Sequence, residues 1–514
     1  MYLIKAALFL GFASMAGLFL FFACANKSIA REFRNKLMMV LAYCILVSFF
    51  SPTPLICNLL AFLTVPLFAR KRTEIAPIYV FSFLILPGVG MPLTIGGTWL
   101  MAIDNIMSVT AGAALMATIK GGGGGQRSWT VPGVCLLAIF SVYVLSGIRA
   151  TTPTNMLRVL VEQLCTFVLP FYAVRRSIRT GDDVRRIFIG MVAATTALST
   201  LAIYEAWTTW PLYRVIYNHY GITLGSGASV KMRGGLLRSP GPFPEPTSFA
   251  YWLSIGTFIA MTSSWMFRSK IKFWGMCAVL LLGMYAPQSR GAWLGLIVAY
   301  LVYQVGTGQV SKMLKGVVVA ALFGGLVYGA ALTIPQVAQT LGLDTTGVVK
   351  RDYRQDLWTR GIEEAQHNLL IGTDIGTVMT SLADMKQGEG IVDFVNTYLY
   401  VLLVSGLIGV TAFGSGLLVP IAVLWKRAKM LRRYDTRQLS VIAALLGSIA
   451  VMLAFTSLVG RSTMGLGVML GMAAALSKMR PANLMTQKKP SRRAKNLGAN
   501  DATPQVDPVP AMTG

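Results

Sequence analysis

The chain has 514 residues, 54% of them hydrophobic and 13% charged, with a formal net charge of +26. Soluble domains carry about 25% charged residues, so this composition excludes an ordinary soluble protein and points to lipid. The surplus of positive charge falls in short clusters between apolar runs, which is a topology signal rather than a nucleic-acid interface, and no nucleic-acid partner is expected.

The apolar runs are close to the length that crosses a hydrocarbon core and are continuous rather than alternating, so they predict helices and not a barrel. In chain order the expected spans are 4–24, 37–51, 54–69, 75–92, 98–119, 131–148, 153–174, 186–207, 246–266, 272–287, 289–306, 314–334, 394–425, 438–457 and 461–477. The pair 37–51 and 54–69, broken by Pro52 and Pro54, reads either as two spans or as one hairpin. The predicted fold class is therefore an all-α polytopic membrane protein with about 14 transmembrane helices.

Basic clusters at Lys27–Lys36, Arg70–Arg72, Lys120–Arg127, Arg175–Arg186, Arg268–Lys272, Lys426–Arg437 and from Lys478 onward set the sides. Counting back from the basic tail makes the C-terminus cytoplasmic. The loops 208–245 and 335–393 then lie outside. Three divisions follow: N-terminal helices over 1–180, a core with its two outer loops over 181–480, and a disordered basic tail over 481–514. The glycine run Gly121–Gly125 reads as a linker. The six cysteines sit within or at the ends of apolar runs without ligand-like spacing, which predicts neither a disulfide framework nor a zinc site.

Three places on the outer side hold arginines. The first is Lys231 through Glu245, where Arg233 and Arg238 sit in a glycine- and proline-rich turn leading into a span. The plain alternative is contact with lipid phosphate. The second is Gln288–Ser289–Arg290–Gly291, where Arg290 lies between two apolar runs. An arginine there is costly unless paired or functional, the alternative being a snorkelling side chain. The third is the long loop, in which residues 353, 357, 358, 362 and 365 give one apolar face and predict a helix lying on the membrane surface. Arg351, Arg354 and Trp358 share another edge of it. His367 and a turn at Gly372 follow. Asp393 opens the next span, where an acid is also favoured as a cap. Arginine forks suit phosphate oxygens, and a carboxylate can take a proton from a sugar hydroxyl.

These motifs, in this order, resemble the O-antigen ligase and Wzy polymerase superfamily over roughly residues 180–480. The resemblance rests on Arg238–Ser–Pro–Gly–Pro–Phe243, Gln288–Ser–Arg290–Gly–Ala–Trp293, Leu357–Trp358, His367–Asn–Leu–Leu–Ile–Gly372 and Val392–Asp393–Phe–Val–Asn396–Thr–Tyr398, which runs into Leu403–Val–Ser–Gly406. It implies a glycosyltransferase C-like membrane fold with short helices in one large periplasmic loop, in the bacterial inner membrane. It implies metal-independent, inverting glycosyl transfer without a cofactor, from a glycan on undecaprenyl pyrophosphate. Arg238 and Arg290 would then hold the leaving pyrophosphate, Asp393 would be the base and His367 a further catalytic candidate. Arg233, Arg351, Arg354, Asn396 and Tyr398 would bind substrate. Where ligases of the family place a histidine before the asparagine, this chain has Val395, and the Asp–x–x–Asn–x–Tyr form looks more like exopolysaccharide polymerases. The expected partners are membrane lipids, the lipid-linked glycan and a chain-length regulator. Transfer of a finished glycan to lipid A core or protein, and flipping of lipid-linked sugars, are the alternatives.

Overall fold

The computed structural model describes residues 2–121, 129–149, 151–222, 230–233, 235–333, 353–386, 392–431 and 436–484. The glycine linker beyond Gly121, the tail beyond Leu484 and Arg351 lie outside these. The described chain is mostly helical, as the apolar runs require, with two short antiparallel hairpins.

The first four helices are α1 (Tyr2–Cys24), α2 (Lys27–Phe50), α3 (Pro54–Phe68) and α4 (Arg72–Ile85). The stretch Lys27–Lys36 is not a loop but the opening turns of α2. α2 and α3 are separate helices divided at Ser51–Thr53, where the Thr53 hydroxyl caps α3 through Ile56.

A larger departure follows. Residues 98–104, expected to start a span, instead form β2 (Thr98–Asp104), paired with β1 (Gly90–Ile95). Pro87 and Gly88 end the preceding helix, and Gly96 and Gly97, at φ +58° and +80°, make the turn between strands. The apolar content of this stretch is that of a span, but its Thr, Ile and Trp residues suit a strand. α5 (Asn105–Lys120) starts only after Asp104, whose carboxylate accepts from Met107 N–H at 2.7 Å.

Next come α6 (Val131–Gly147), α7 (Pro153–Gln163), a π-helical turn at Leu164–Val168, α8 (Leu169–Ser177), α9 (Gly181–Thr208) and the short α10 (Arg214–His219). β3 (Met232–Arg233) and β4 (Leu236–Leu237) form the second hairpin, followed by α11 (Pro246–Thr262), α12 (Lys270–Tyr285), α13 (Arg290–Thr307) and α14 (Val310–Thr333). The chain resumes with α15 (Tyr353–His367), α16 (Ile375–Ser381), α17 (Thr397–Met430), α18 (Arg437–Met452), α19 (Arg461–Ser477) and the turn α20 (Pro481–Leu484).

Among the described residues, five helical stretches are both long and apolar enough to cross a membrane: α1, α2, Pro153–Ser177, α9 and α17. α3, α6 and α18 are apolar but shorter. α9 is the most enclosed of the five, and neighbours approach it through small residues. A Cβ on Gly190 would meet the Pro77 carbonyl of α4 at 2.6 Å, and one on Gly283 of α12 would meet Ser199 at 2.2 Å.

α15 is helical as predicted, but its apolar face is not laid on a membrane surface. Leu357 and Ala365 are buried with Val378 of α16 and Leu399 and Leu403 of α17 in a small second core. Trp358, on the other edge, is 48% exposed.

α17 is broken within its first half. Gly406 has φ +62° and ψ −163°, which interrupts the helix. The His367–Gly372 segment inserts there. Leu407 N–H donates to Leu369 O at 2.8 Å, Ile408 N–H to Leu370 O at 3.2 Å and Thr373 N–H to Leu403 O at 2.8 Å. The Arg149 guanidinium reaches the carbonyls of Ile371, Gly372 and Val404 at 2.8, 3.3 and 3.2 Å. The backbone groups released by the break are thus satisfied by another loop and an arginine.

Candidate functional site

The C-terminal ends of α4, α9 and α12 and the N-terminal ends of α11, α13, α17 and α19 gather at one end of the bundle, and Arg233, Arg238, Arg290, Arg354 and Asp393 gather with them. The organiser is Glu205, in the last turns of α9 and fully buried. One carboxylate oxygen accepts from Leu212 N–H at 2.9 Å, and the other from the Ser239 hydroxyl at 2.6 Å and Gly241 N–H at 3.2 Å. A buried carboxylate is tolerated where donors surround it, and these donors belong to the loops it fixes.

The strap from Lys231 to Glu245 is held at three further points. Lys231 and Glu245 pair at 3.0 Å and close it like a clasp. Arg238 N–H donates to Lys231 O at 2.9 Å, and Ser239 N–H to Ala286 O at 3.3 Å. Beneath it, the Phe243 ring lies 4.3 Å from the buried Arg461 guanidinium, whose Nη2 donates to Leu86 O at 2.6 Å.

The strap runs along the turn between α12 and α13. Arg238 Nε donates to Pro287 O and Arg233 Nη1 to Gln288 O, each at 3.1 Å. Gln288 sits at φ +52°, an uncommon conformation for a residue other than glycine. Its amide returns a bond to Arg233 O at 3.4 Å, while its Oε1 is buried without a hydrogen-bond partner among the described residues. Arg290 opens α13 with its side chain exposed, and Ser289 provides no side-chain cap.

The charges act on one another. Burial, then the neighbouring Arg290 and Arg354, hold Arg233 below the usual guanidinium range. Burial, then Arg233, push Arg238 down to about 10, with Glu245 opposing and Arg354 and Arg290 adding to the fall. Burial raises the Glu245 carboxyl against the Lys231 bond, and Asp393 raises it further. Arg233, Arg238, Arg290 and Arg354 therefore share one field with Glu245 and Asp393, although they come from four separate segments.

Asp393 is placed by Tyr353. Its N–H donates to the Tyr353 oxygen at 3.1 Å, and the Tyr353 hydroxyl donates to its carbonyl at 3.2 Å. The cap of α17 is Asn396, not Asp393: Asn396 Oδ1 accepts from Tyr398 and Leu399 N–H at 2.9 and 3.3 Å. Capping thus leaves Asp393 unexplained and accounts for Asn396, expected to bind substrate. Tyr398, expected to do the same, donates its hydroxyl to Ala450 O at 2.6 Å. His367 is exposed at the last residue of α15. At 1.5 Å rise per residue it lies about 20 Å along the axis from Arg354, away from the cluster. The segment after it is the turn that fills the break in α17.

Reading the sequence missed Glu205, Arg461 and Arg149 as organisers. The available signals were one acid near the end of an apolar run and lone arginines beside spans. An open cleft adjoins the strap, lined by Arg214 and Tyr217 of α10, by Lys231 and Arg238, and by a proline-rich wall that includes Phe243. Among the described residues no three His, Cys, Asp or Glu side chains come together as metal ligands. The cluster offers guanidinium forks for anionic oxygens beside two carboxylates able to accept protons. Compared with known proteins, the chain matches no family model and no curated sequence.

Proposed function

We propose that this membrane protein is a polysaccharide polymerase of the bacterial inner membrane, acting at its periplasmic face with its C-terminus in the cytoplasm. It transfers a growing glycan from undecaprenyl pyrophosphate to a second lipid-linked repeat unit. The observation that carries the reading is the convergence of Arg233, Arg238, Arg290 and Arg354 in one field with Asp393 and Glu245. A departing pyrophosphate develops negative charge, and preorganised cations act most strongly on charge that develops in the transition state.

In this reading the acceptor hydroxyl attacks the anomeric carbon, and Asp393 takes its proton. The bond from that carbon to the pyrophosphate oxygen breaks with inversion. The electron pair leaves with the pyrophosphate, which the arginines hold. The step needs no metal or cofactor. A chain-length regulator is the expected protein partner.

The test is the size distribution of lipid-linked glycans in cells lacking the protein and in cells carrying Arg290→Ala or Arg238→Ala at normal protein levels. Single repeat units on the lipid, with polymer lost, are expected in all three. Long lipid-linked chains that reach no acceptor would make the protein a ligase. Units held on the cytoplasmic face would make it a flippase. Normal polymer in both variants would remove the arginines from the chemistry.

A further inference from the structure

The cleft beside the strap is not needed to hold a pyrophosphate, and its chemistry differs from that of the arginine cluster. Lys231 is already paired with Glu245. Arg233, Arg238 and Arg290 outnumber the two charges of a pyrophosphate diester, one on each phosphate. Arg214 is a further cation on the α10 wall, half-buried, with no hydrogen-bond or ion-pair partner for its side chain among the described residues. A guanidinium that lines a cleft without a counter-charge offers its N–H fork to an anionic ligand.

The walls also select. Pro211, Pro240, Pro244 and Pro246 make a rigid lining, and the nearly buried Tyr217, whose hydroxyl accepts from Gly88 N–H at 3.3 Å, completes it. A stiff, mostly apolar wall with a few fixed polar groups is the usual form of a small-ligand site. A cation in such a lining suits a sugar ring bearing a carboxylate, whose ring face packs on proline while its acid meets the guanidinium.

We propose that this cleft is a saccharide subsite for an acidic sugar of the lipid-linked glycan, with Arg214 as the carboxylate ligand. The proposal rests on the polymerase reading and adds a substrate class to it: repeat units carrying a uronic acid or an equivalent carboxylate. Arg238, which lines the cleft and touches the α12–α13 turn, joins this subsite to the arginine cluster.

The experiment measures equilibrium binding to the full chain in phosphatidylcholine nanodiscs with three probes: cellobiouronic acid, cellobiose and inorganic pyrophosphate. Cellobiouronic acid should bind at least about tenfold more tightly than cellobiose, the range expected for one charge-assisted contact. Arg214→Gln should abolish that preference while keeping pyrophosphate binding, and Arg214→Lys should keep part of it. Retained pyrophosphate binding also shows that the variant is folded. Equal binding of the two disaccharides by the native protein, or a preference that survives Arg214→Gln, overturns the proposal. So does an Arg214→Gln loss of pyrophosphate binding as large as that of Arg290→Ala, because Arg214 would then belong to the phosphate site. Pyrophosphate binding untouched by Arg290→Ala would instead count against the polymerase reading, with the disaccharide result standing separately.

Discussion

Asp393 and Asn396 lie three residues apart, and the proposed function gives them opposite kinds of work, one chemical and one structural. Asn396 caps α17 through two backbone N–H groups. Asn396→Ala should cost about 1 kcal/mol of stability and lower the melting temperature in detergent, with turnover of the remaining folded protein unchanged. Asp393→Asn should cut the glycosyl-transfer rate by roughly 10²–10⁴-fold, with pyrophosphate binding kept. A normal rate in Asp393→Asn would exclude it as the base. The arginines give a pH signature. Burial and Arg233 bring Arg238 to about 10, so it is charged at neutral pH and loses its proton as pH rises through that value. Affinity for a pyrophosphate diester, whose own charge is constant there, should therefore be level from neutral pH to about pH 9 and fall above about pH 10. Titration calorimetry across that range checks the sign.

Among the elements, the break in α17 is the most demanding. A Cβ on Gly406 would lie 2.3 Å from the Leu370 carbonyl carbon, and one on Gly372 would lie 2.4 Å from Ser405 N. Both glycines have positive φ. Gly406→Ala should thus cost about 3 kcal/mol or more, by strain and by expulsion of the inserted segment. Gly414→Ala in the same helix, where a Cβ meets nothing within 4 Å, is the control and should melt near the native temperature. Element by element, the sequence was readable where periodicity or continuous apolarity alone decides. α15 was visible from its spacing, and α9, α11 and α17 from their length. The hairpin of β1 and β2 was not, because its apolar content is that of a span and only the Gly96–Gly97 turn betrays it. Arg233 and Arg238 stood out because the topology expected from the basic clusters puts them outside, against the charge rule, and Arg290 because it lies between two apolar runs. Glu205 and Arg461 did not, because a lone ionisable residue at the edge of an apolar run has the same appearance whether it meets headgroups or ties three loops together.

The molecule as a whole has two unlike ends. The basic clusters gather at the end opposite the site, where Arg72 pairs with Asp183 at 3.2 Å, Lys120 donates to Ala69 O at 2.7 Å and Arg176 donates to Ala117 O at 3.0 Å. The other end carries Glu205, the strap and Asp393. If the basic end is cytoplasmic, a membrane-impermeant maleimide should label Asn218→Cys in intact spheroplasts and spare Lys429→Cys until the membrane is opened. The native cysteines would first be replaced. Reversed labelling would put the site on the wrong side for a periplasmic transfer.

The stacking of Phe243 against Arg461 also has a meaning for biosynthesis. The two residues are separated by more than 200 positions in the chain. At about 5–20 residues per second, Phe243 leaves the ribosome roughly 10–40 s before its partner exists. Until α19 is made and packed, the strap lacks its floor and the carbonyls at the end of α4 lack their donor. The strap therefore cannot settle while the chain is only half made, and its final shape waits on a helix synthesised long after it.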